Sequence, residues 1–459
     1  MNNQSTTLPH PATTTHVLPT TRREFLKLGA SGAGLLALGG LAPALLVKTL
    51  RAADAPAPDR RILVLVQLSG GNDGLNTIIP YADARYYKLR PTLAIAKDKT
   101  LRLTDTTGLH PACPELAALF KNDKLAIIQN VGYPNPNRSH FRSMEIWETA
   151  TDSNKFSDTG WIGRLMDNTG GGAAATVSSS QFPVSSVEPV ASLETQAANA
   201  PDAIHLTNET PQTFLAARPH NTFGLAPERP DRRDTRQNLD FLETLINTRP
   251  TAATTARRSD GADHDNNLFL RQTMLDALAT EKNVQRVLGA NKPAAGVAYP
   301  QNNLAQSLRN VAGLIAADFP TRVYFVSHGS FDTHANQAPA HQNLLRALSE
   351  SMGAFQKDLE ARGLAGQVVT MTFSEFGRRP MENESKGTDH GTAAPLFVMG
   401  TKIKPGLHGA PPALDVARNQ DLVFSIDFRQ VYATLLERWF GVPSAPILGG
   451  ATYKLLEFV

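Results

Sequence analysis

The sequence predicts an α/β protein: a doubly wound, mostly parallel sheet flanked by helices, with an inserted subdomain. Three features carry that expectation. Short, almost uninterrupted apolar runs end in Gly-rich or polar loops, amphipathic stretches of helical period lie between them, and the residues best suited to chemistry stand just after the runs.

In chain order, residues 61–68 (Arg-Ile-Leu-Val-Leu-Val-Gln-Leu) read as a strand buried on both faces, and Ser69-Gly70-Gly71-Asn72-Asp73-Gly74 as its exit loop. A helix is expected over Pro114–Lys121, then a strand over Leu125–Val131 that leads into Gly132-Tyr133-Pro134, then a helix over Ser139–Ala150. The Gly/Ala/Ser tract at 170–180, the Thr/Ala/Arg/Asp tract at 250–263 and the Gly/Pro/Ala-rich residues 289–300 read as loops of an insertion spanning about 165–300. Helices are expected there and just beyond, over Asn266–Val287 and Leu304–Ala317. Val323–Val326 resumes the strand pattern ahead of Ser327-His328-Gly329. In the helix expected over His341–Arg362, Leu344, Leu345, Leu348, Met352, Phe355 and Leu359 fall on one stripe. Strands over Val368–Phe373 and Leu396–Met399, and a helix over Phe428–Phe440, complete the alternation.

The first 55 residues stand apart. Thr-Arg-Arg-Glu-Phe-Leu-Lys at 21–27 precedes an uncharged Gly/Ala-rich stretch, Leu28–Val47, in the order of a twin-arginine signal segment. The expectation is export to the periplasm or beyond, with the twin-arginine translocase as partner. The glycines and Pro43 within the stretch disfavour a stable membrane span. Pro56, directly after Ala53-Asp54-Ala55, hinders cleavage there. This route carries folded proteins, which suits a chain loaded with metal before export.

Residues 1–55 hold five Lys/Arg and two Asp/Glu, which accounts for the whole chain's formal charge of +3. The remainder, 56–459, reads as one near-neutral α/β domain and excludes a nucleic-acid partner, which would need a basic patch. A single cysteine, Cys113, excludes an internal disulfide.

In a doubly wound sheet, ligands gather at the carboxyl ends of the strands. Asp73 follows the first strand, Asn137, Arg138, Ser139 and His140 the second, Asp332 and His334 the third, and Glu375, Arg378 and Arg379 the fourth. Asp389 and His390 lie in a further loop, with His408 beyond. Carboxylates and imidazoles at such a rim suit a divalent metal, one ion or two, of the Zn, Mn, Mg or Ca kind. Ser139 combines an N-cap position with competence as nucleophile or ligand. Arg378 or Arg379 would hold the oxygens of a phosphate or sulfate in a forked geometry. Asp73 is also a good turn former, His110 before Pro111 reads as structural, and Glu375 lies three residues from a partner in Arg378.

These motifs, Leu-Ser-Gly-Gly-Asn-Asp-Gly (68–74), Gly-Tyr-Pro with Arg-Ser-His-Phe (132–141), Phe-Asp-Thr-His (331–334), Ser-Glu-Phe-Gly-Arg (374–378), Gly-Thr-Asp-His-Gly (387–391) and Asp-Phe-Arg-Gln-Val-Tyr-Ala (427–433), closely resemble the exported bacterial family called domain of unknown function 1501. That family in turn looks like a distant branch of the alkaline phosphatase and sulfatase superfamily, whose members use one or two metals and a Ser, Thr or modified Cys nucleophile. The resemblance implies an alkaline phosphatase/sulfatase-like fold, with Asp73, Ser139 and Glu375 serving one metal and Asp332, His334 and His390 another. The chain departs from the pattern where Glu375-Phe376 replaces the superfamily's Asp-His. The functional expectation is an exported metal-dependent hydrolase of phosphate or sulfate esters acting on an anionic ester or glycan. The rival is a non-catalytic binding or assembly protein that keeps the fold and a structural metal.

Overall fold

A computed structural model describes residues 60–169, 201–225 and 277–459, except 418. The signal segment expected at 1–55, the tracts at 170–180 and 250–263, and the start of the helix expected from Asn266 lie outside the described residues.

Among these residues the strands are β1 (Ile62–Leu68), β2 (Ile78–Ile79), β3 (Leu101–Arg102), β4 (Gly108–Leu109), β5 (Leu125–Gly132), β6 (Ala203–Leu206), β7 (Thr222–Gly224), β8 (Val323–His328), β9 (Val368–Phe373), β10 (Arg378–Glu382), β11 (Thr388–His390), β12 (Ala394–Met399), β13 (Gly406–His408) and β14 (Ile426–Asp427). The main sheet runs β13-β5-β12-β9-β1-β8-β6-β7, with β14 also paired to β5. Every pairing is parallel except those of β12, which is antiparallel to both β5 and β9. The sheet is therefore mixed and mostly parallel, with helices on both faces.

Alternation along β1 builds two cores at once. Leu63 and Leu65 enter one, together with Trp147, Ile162 and Tyr432 from the helices His140–Thr149, Trp161–Thr169 and Phe428–Thr434. Ile62, Val64, Val66 and Leu68 enter the other, against the helices Pro114–Lys121, Asn303–Ala316 and Gln337–Ala361. On the first face Trp147 stacks on Phe428 at 4.4 Å and Trp161 on Tyr432 at 4.3 Å. Burial on both faces explains why these strands read as continuous apolar runs.

The stretch read as an insertion is less separate than its composition suggests. Residues 201–225 supply β6 and β7, which extend the main sheet in parallel beyond β8. Ala-Ile-His-Leu and Thr-Phe-Gly are too short to carry a periodic signal.

Candidate metal centre

Parallel β1, β8 and β9 deliver their exit loops to one edge of the sheet. β5 shares their direction, because two antiparallel steps through β12 restore it. Residues 133–140 thus join the same edge. β12 runs the other way, so its beginning lies at this edge, and the β10–β11 hairpin that precedes it brings His390 there.

The loop after β1 fits only as glycine. Gly70 has φ +114°, and a Cβ on it would lie 2.4 Å from the backbone nitrogen of Asp332. Its N–H donates to Glu375 Oε1 at 2.8 Å. Arg378 ties this loop to its neighbours. Its Nε donates to Gly71 O at 2.8 Å and its Nη1 to Thr388 O at 2.9 Å. Its Nη2 donates to Gly70 O, to Phe331 O at 2.9 Å and to Asp332 Oδ1 at 2.7 Å. This wholly buried guanidinium positions Asp332 and leaves nothing for a substrate.

Around Asp332 the imidazoles of His140, His334 and His390 converge. His390 Nε2 and His334 Nε2 each lie 3.0 Å from Asp332 Oδ1 and 2.9 Å from one another, and His140 Nε2 lies 3.5 Å from Asp332 Oδ2. The outer nitrogens fix which atoms face inward. His390 Nδ1 stands 2.8 Å from Arg138 O, a carbonyl that can only accept, and His140 Nδ1 stands 2.8 Å from Glu375 Oε1. Both Nδ1 atoms therefore carry the hydrogen, and in the neutral rings both Nε2 lone pairs face the cluster. Phe376 packs on His140 and His390, with ring centres 4.9 and 4.6 Å away. Partial burial raises the pKa of Asp332, but the hydrogen bond and charge of Arg378 lead the influences that outweigh it and bring the carboxyl to about 2. The group remains a carboxylate.

This donor set fits a divalent cation. Ligand atoms of His140, Asp332 and His390 all lie within 4.8 Å of one another. Tetrahedral ligands at ~2.0–2.1 Å from an ion are about 3.3 Å apart, close to the separations observed. Outer nitrogens anchored on a carboxylate and a carbonyl are the second-layer support that metal-bound histidines require. Glu375 Oε2, buried behind His140, has no hydrogen-bond partner. Imidazole with carboxylate suits Zn or Mn.

The expected site residues divide into three groups. Asp332, His334 and His390 come together in the cluster. Glu375 and Asp389 stand behind it: Glu375 orients His140, while Asp389 Oδ1 lies 3.6 Å from His334 Nδ1 and accepts from Asn383 at 3.1 Å. Asp73 does not join the cluster. Its wholly buried carboxylate pairs with Arg90 and accepts from Gln337. Ser139, one residue before His140, is exposed at the N-cap of His140–Thr149, and its hydroxyl makes no capping bond. His341 and His408 also lie elsewhere, bonded to Asn72 Oδ1 and Lys404 O respectively. His110 accepts from the Ala112 N–H, a local structural bond. His140 is the cluster member that the sequence reading left out of the ligand set. Its signal was present in Arg-Ser-His-Phe, beside the serine that drew attention first.

A family model described as "Protein of unknown function (DUF1501)" matches residues 60–449. The chain belongs to this family. No curated protein matches the sequence. Among solved structures, this DUF1501 protein is similar to a protein in the alkaline phosphatase superfamily from Vibrio parahaemolyticus, with TM-score 0.38 and 10% identity over 86% of this chain and 70% of that one. It is also similar to the zinc complex of the C-terminal periplasmic domain of EcEptC from Escherichia coli, with TM-score 0.32 and 12% identity over 75% and 74%. A third is the lipoteichoic acid synthase LtaP from Listeria monocytogenes, with TM-score 0.35 and 8% identity over 76% and 67%. Among the described residues, no helix is long and apolar enough to cross a membrane.

Proposed function

We propose that this DUF1501 protein is an exported, metal-dependent hydrolase of phosphate or sulfate esters, with Ser139 as its nucleophile. The observation that carries the reading is the convergence of His140, His334 and His390 on Asp332, with two of the rings oriented through their outer nitrogens. A divalent ion held there would act as a Lewis acid, polarising the ester and easing ionisation of a hydroxyl. Ser139 lies next to a cluster member, exposed and with its hydroxyl uncommitted, at the N-terminus of a ten-residue helix whose free N–H groups favour an anion. Its Oγ would form a bond to phosphorus or sulfur as the ester oxygen leaves, the departing alcohol carrying the proton that the serine gave up. Water would then cleave the seryl ester and release the oxyanion. The Arg-Arg pattern at 21–27 supports an exported setting for this reaction.

Elemental mass spectrometry on the exported protein is expected to find about one Zn or Mn per chain, absent from His390→Ala and Asp332→Ala. Ser139→Ala should keep the metal and lose hydrolysis in a phosphate- and sulfate-ester screen by about a thousandfold or more. A metal-free wild type sinks the reading. The non-catalytic alternative has one observation in its favour: Asp73 and Arg378, two of the expected site residues, are occupied by internal bonds. Metal retained with no Ser139-dependent turnover would support it.

A further inference from the structure

Arg138 and Arg379 stand at the cluster with their backbones fixed and their guanidiniums loosely engaged. Arg138 O accepts from His390 Nδ1 at 2.8 Å, and Arg379 O accepts from Arg90 Nη2 at 3.0 Å. Both side chains turn to Asp421, and Arg379 also approaches Asp389. Arg138 Nη1 lies 3.3 Å from Asp421 Oδ2, Arg379 Nε lies 3.6 Å from Asp421 Oδ1, and Arg379 Nη1 is 4.0 Å from Asp389 Oδ2. Arg379 Nε and Asp421 Oδ1 are both buried without a hydrogen-bond partner, so the contact between them is an ion pair that stops short of a hydrogen bond. Arg378 and Arg90 differ from them, since their nitrogens are closed by carbonyl and carboxylate oxygens.

Two guanidinium forks that meet Asp421, with Asp389 no nearer to Arg379 than 4.0 Å, have hydrogen-bond donors to spare. A phosphate monoester dianion, with three free oxygens and two charges, satisfies them better than Asp421 does. Asp421 lies in the irregular segment between β13 and β14, which is anchored by buried Leu422 and by the bond from Asn130 Nδ2 to Val423 O at 2.8 Å. The aspartate can swing away without moving the sheet. We propose that Arg138 and Arg379 form the clamp for a doubly charged tetrahedral oxyanion, and that Asp421 is an internal competitor that occupies it until substrate arrives. This rests on the hydrolase reading and narrows it to phosphate monoesters.

The test is calorimetric titration of the full exported protein with inorganic phosphate at a pH where it is the dianion, with metal content measured alongside. Asp421→Asn is expected to bind phosphate roughly fivefold more tightly, the equivalent of two partly exposed, weak ion pairs relieved, with metal unchanged. The Arg138→Met, Arg379→Met double variant is expected to bind it at least as much more weakly. Phosphate affinity unchanged or lowered in Asp421→Asn overturns the proposal. So does loss of metal in that variant, or a double-arginine variant that binds phosphate like wild type. Tighter phosphate binding in Asp421→Asn without any Ser139-dependent turnover would keep the clamp and remove the hydrolase. Turnover that depends on Ser139, with phosphate affinity indifferent to Asp421, would do the reverse.

Discussion

Asp73 and His140 exchanged the parts that their neighbours in sequence suggest. Asn72-Asp73-Gly74 offers a carboxylate directly after a strand, yet the residue folds inward onto Arg90. Burial raises the pKa of Asp73, and the charge and hydrogen bond of Arg90, with help from His341 and Gln337, lower it further. The result is a buried ion pair beneath the rim, and breaking such a pair strands the remaining charge. Asp73→Asn is therefore expected to lower unfolding stability by about 3 kcal/mol while leaving the metal in place, as denaturant unfolding and elemental analysis would show. Loss of metal in that variant would instead return Asp73 to the ligand set. His140 gains its role because Glu375, wholly buried on the neighbouring loop, takes its Nδ1 and turns Nε2 toward Asp332. No local pattern announces that partnership across 235 residues.

At the scale of elements, the runs over 61–68 and 368–373 and the helix over 114–121 stand in the structure where their apolar periods put them. β12 was legible as a strand but not as the antiparallel one, because direction depends on pairing partners and not on composition. That reversal also shapes the candidate site, since it lets the short β10–β11 hairpin hang at the same edge of the sheet with His390 at its end. The helix Phe428–Thr434 has the clearest local start signal. Asp427 caps it reciprocally with Gln430, and the carboxylate also receives the Arg429 guanidinium at 2.7 and 2.9 Å. Asp427→Ala removes the cap and one side of the Arg429 pairing, so a loss of about 2 kcal/mol is expected. A change below a few tenths, measured by the same unfolding titration, would show that β14 and Trp439 hold the helix without its cap.

For the whole molecule, the two cores on either face of the sheet set the stability, and one carboxyl inside the first of them makes it depend on pH. Glu148 is buried and accepts the Thr213 N–H at 3.2 Å. Desolvation raises its pKa from the ordinary 4.5 to about 7. Below 4.5 the group is protonated in both folded and unfolded chains and costs nothing. As pH rises toward 7 the unfolded chain ionises while the folded one keeps its proton, so stability falls through that window and levels off above it. The loss amounts to about 3 kcal/mol. In Glu148→Gln that contribution should vanish, making the variant progressively more stable than wild type between pH 4.5 and 7; a constant difference across the window would exclude it. The sequence by itself determined the sheet-and-helix alternation, the family motifs and three of the four cluster residues, because each is written in contiguous residues as apolar period or a short motif. Only the tertiary structure decided that Asp73 and Arg378 serve the scaffold, that Glu375 supports His140, and that Arg138 and Arg379 meet over Asp421. Those outcomes depend on which buried charges find partners across loops far apart in the chain, and a buried charge must be paired wherever the fold makes a partner available.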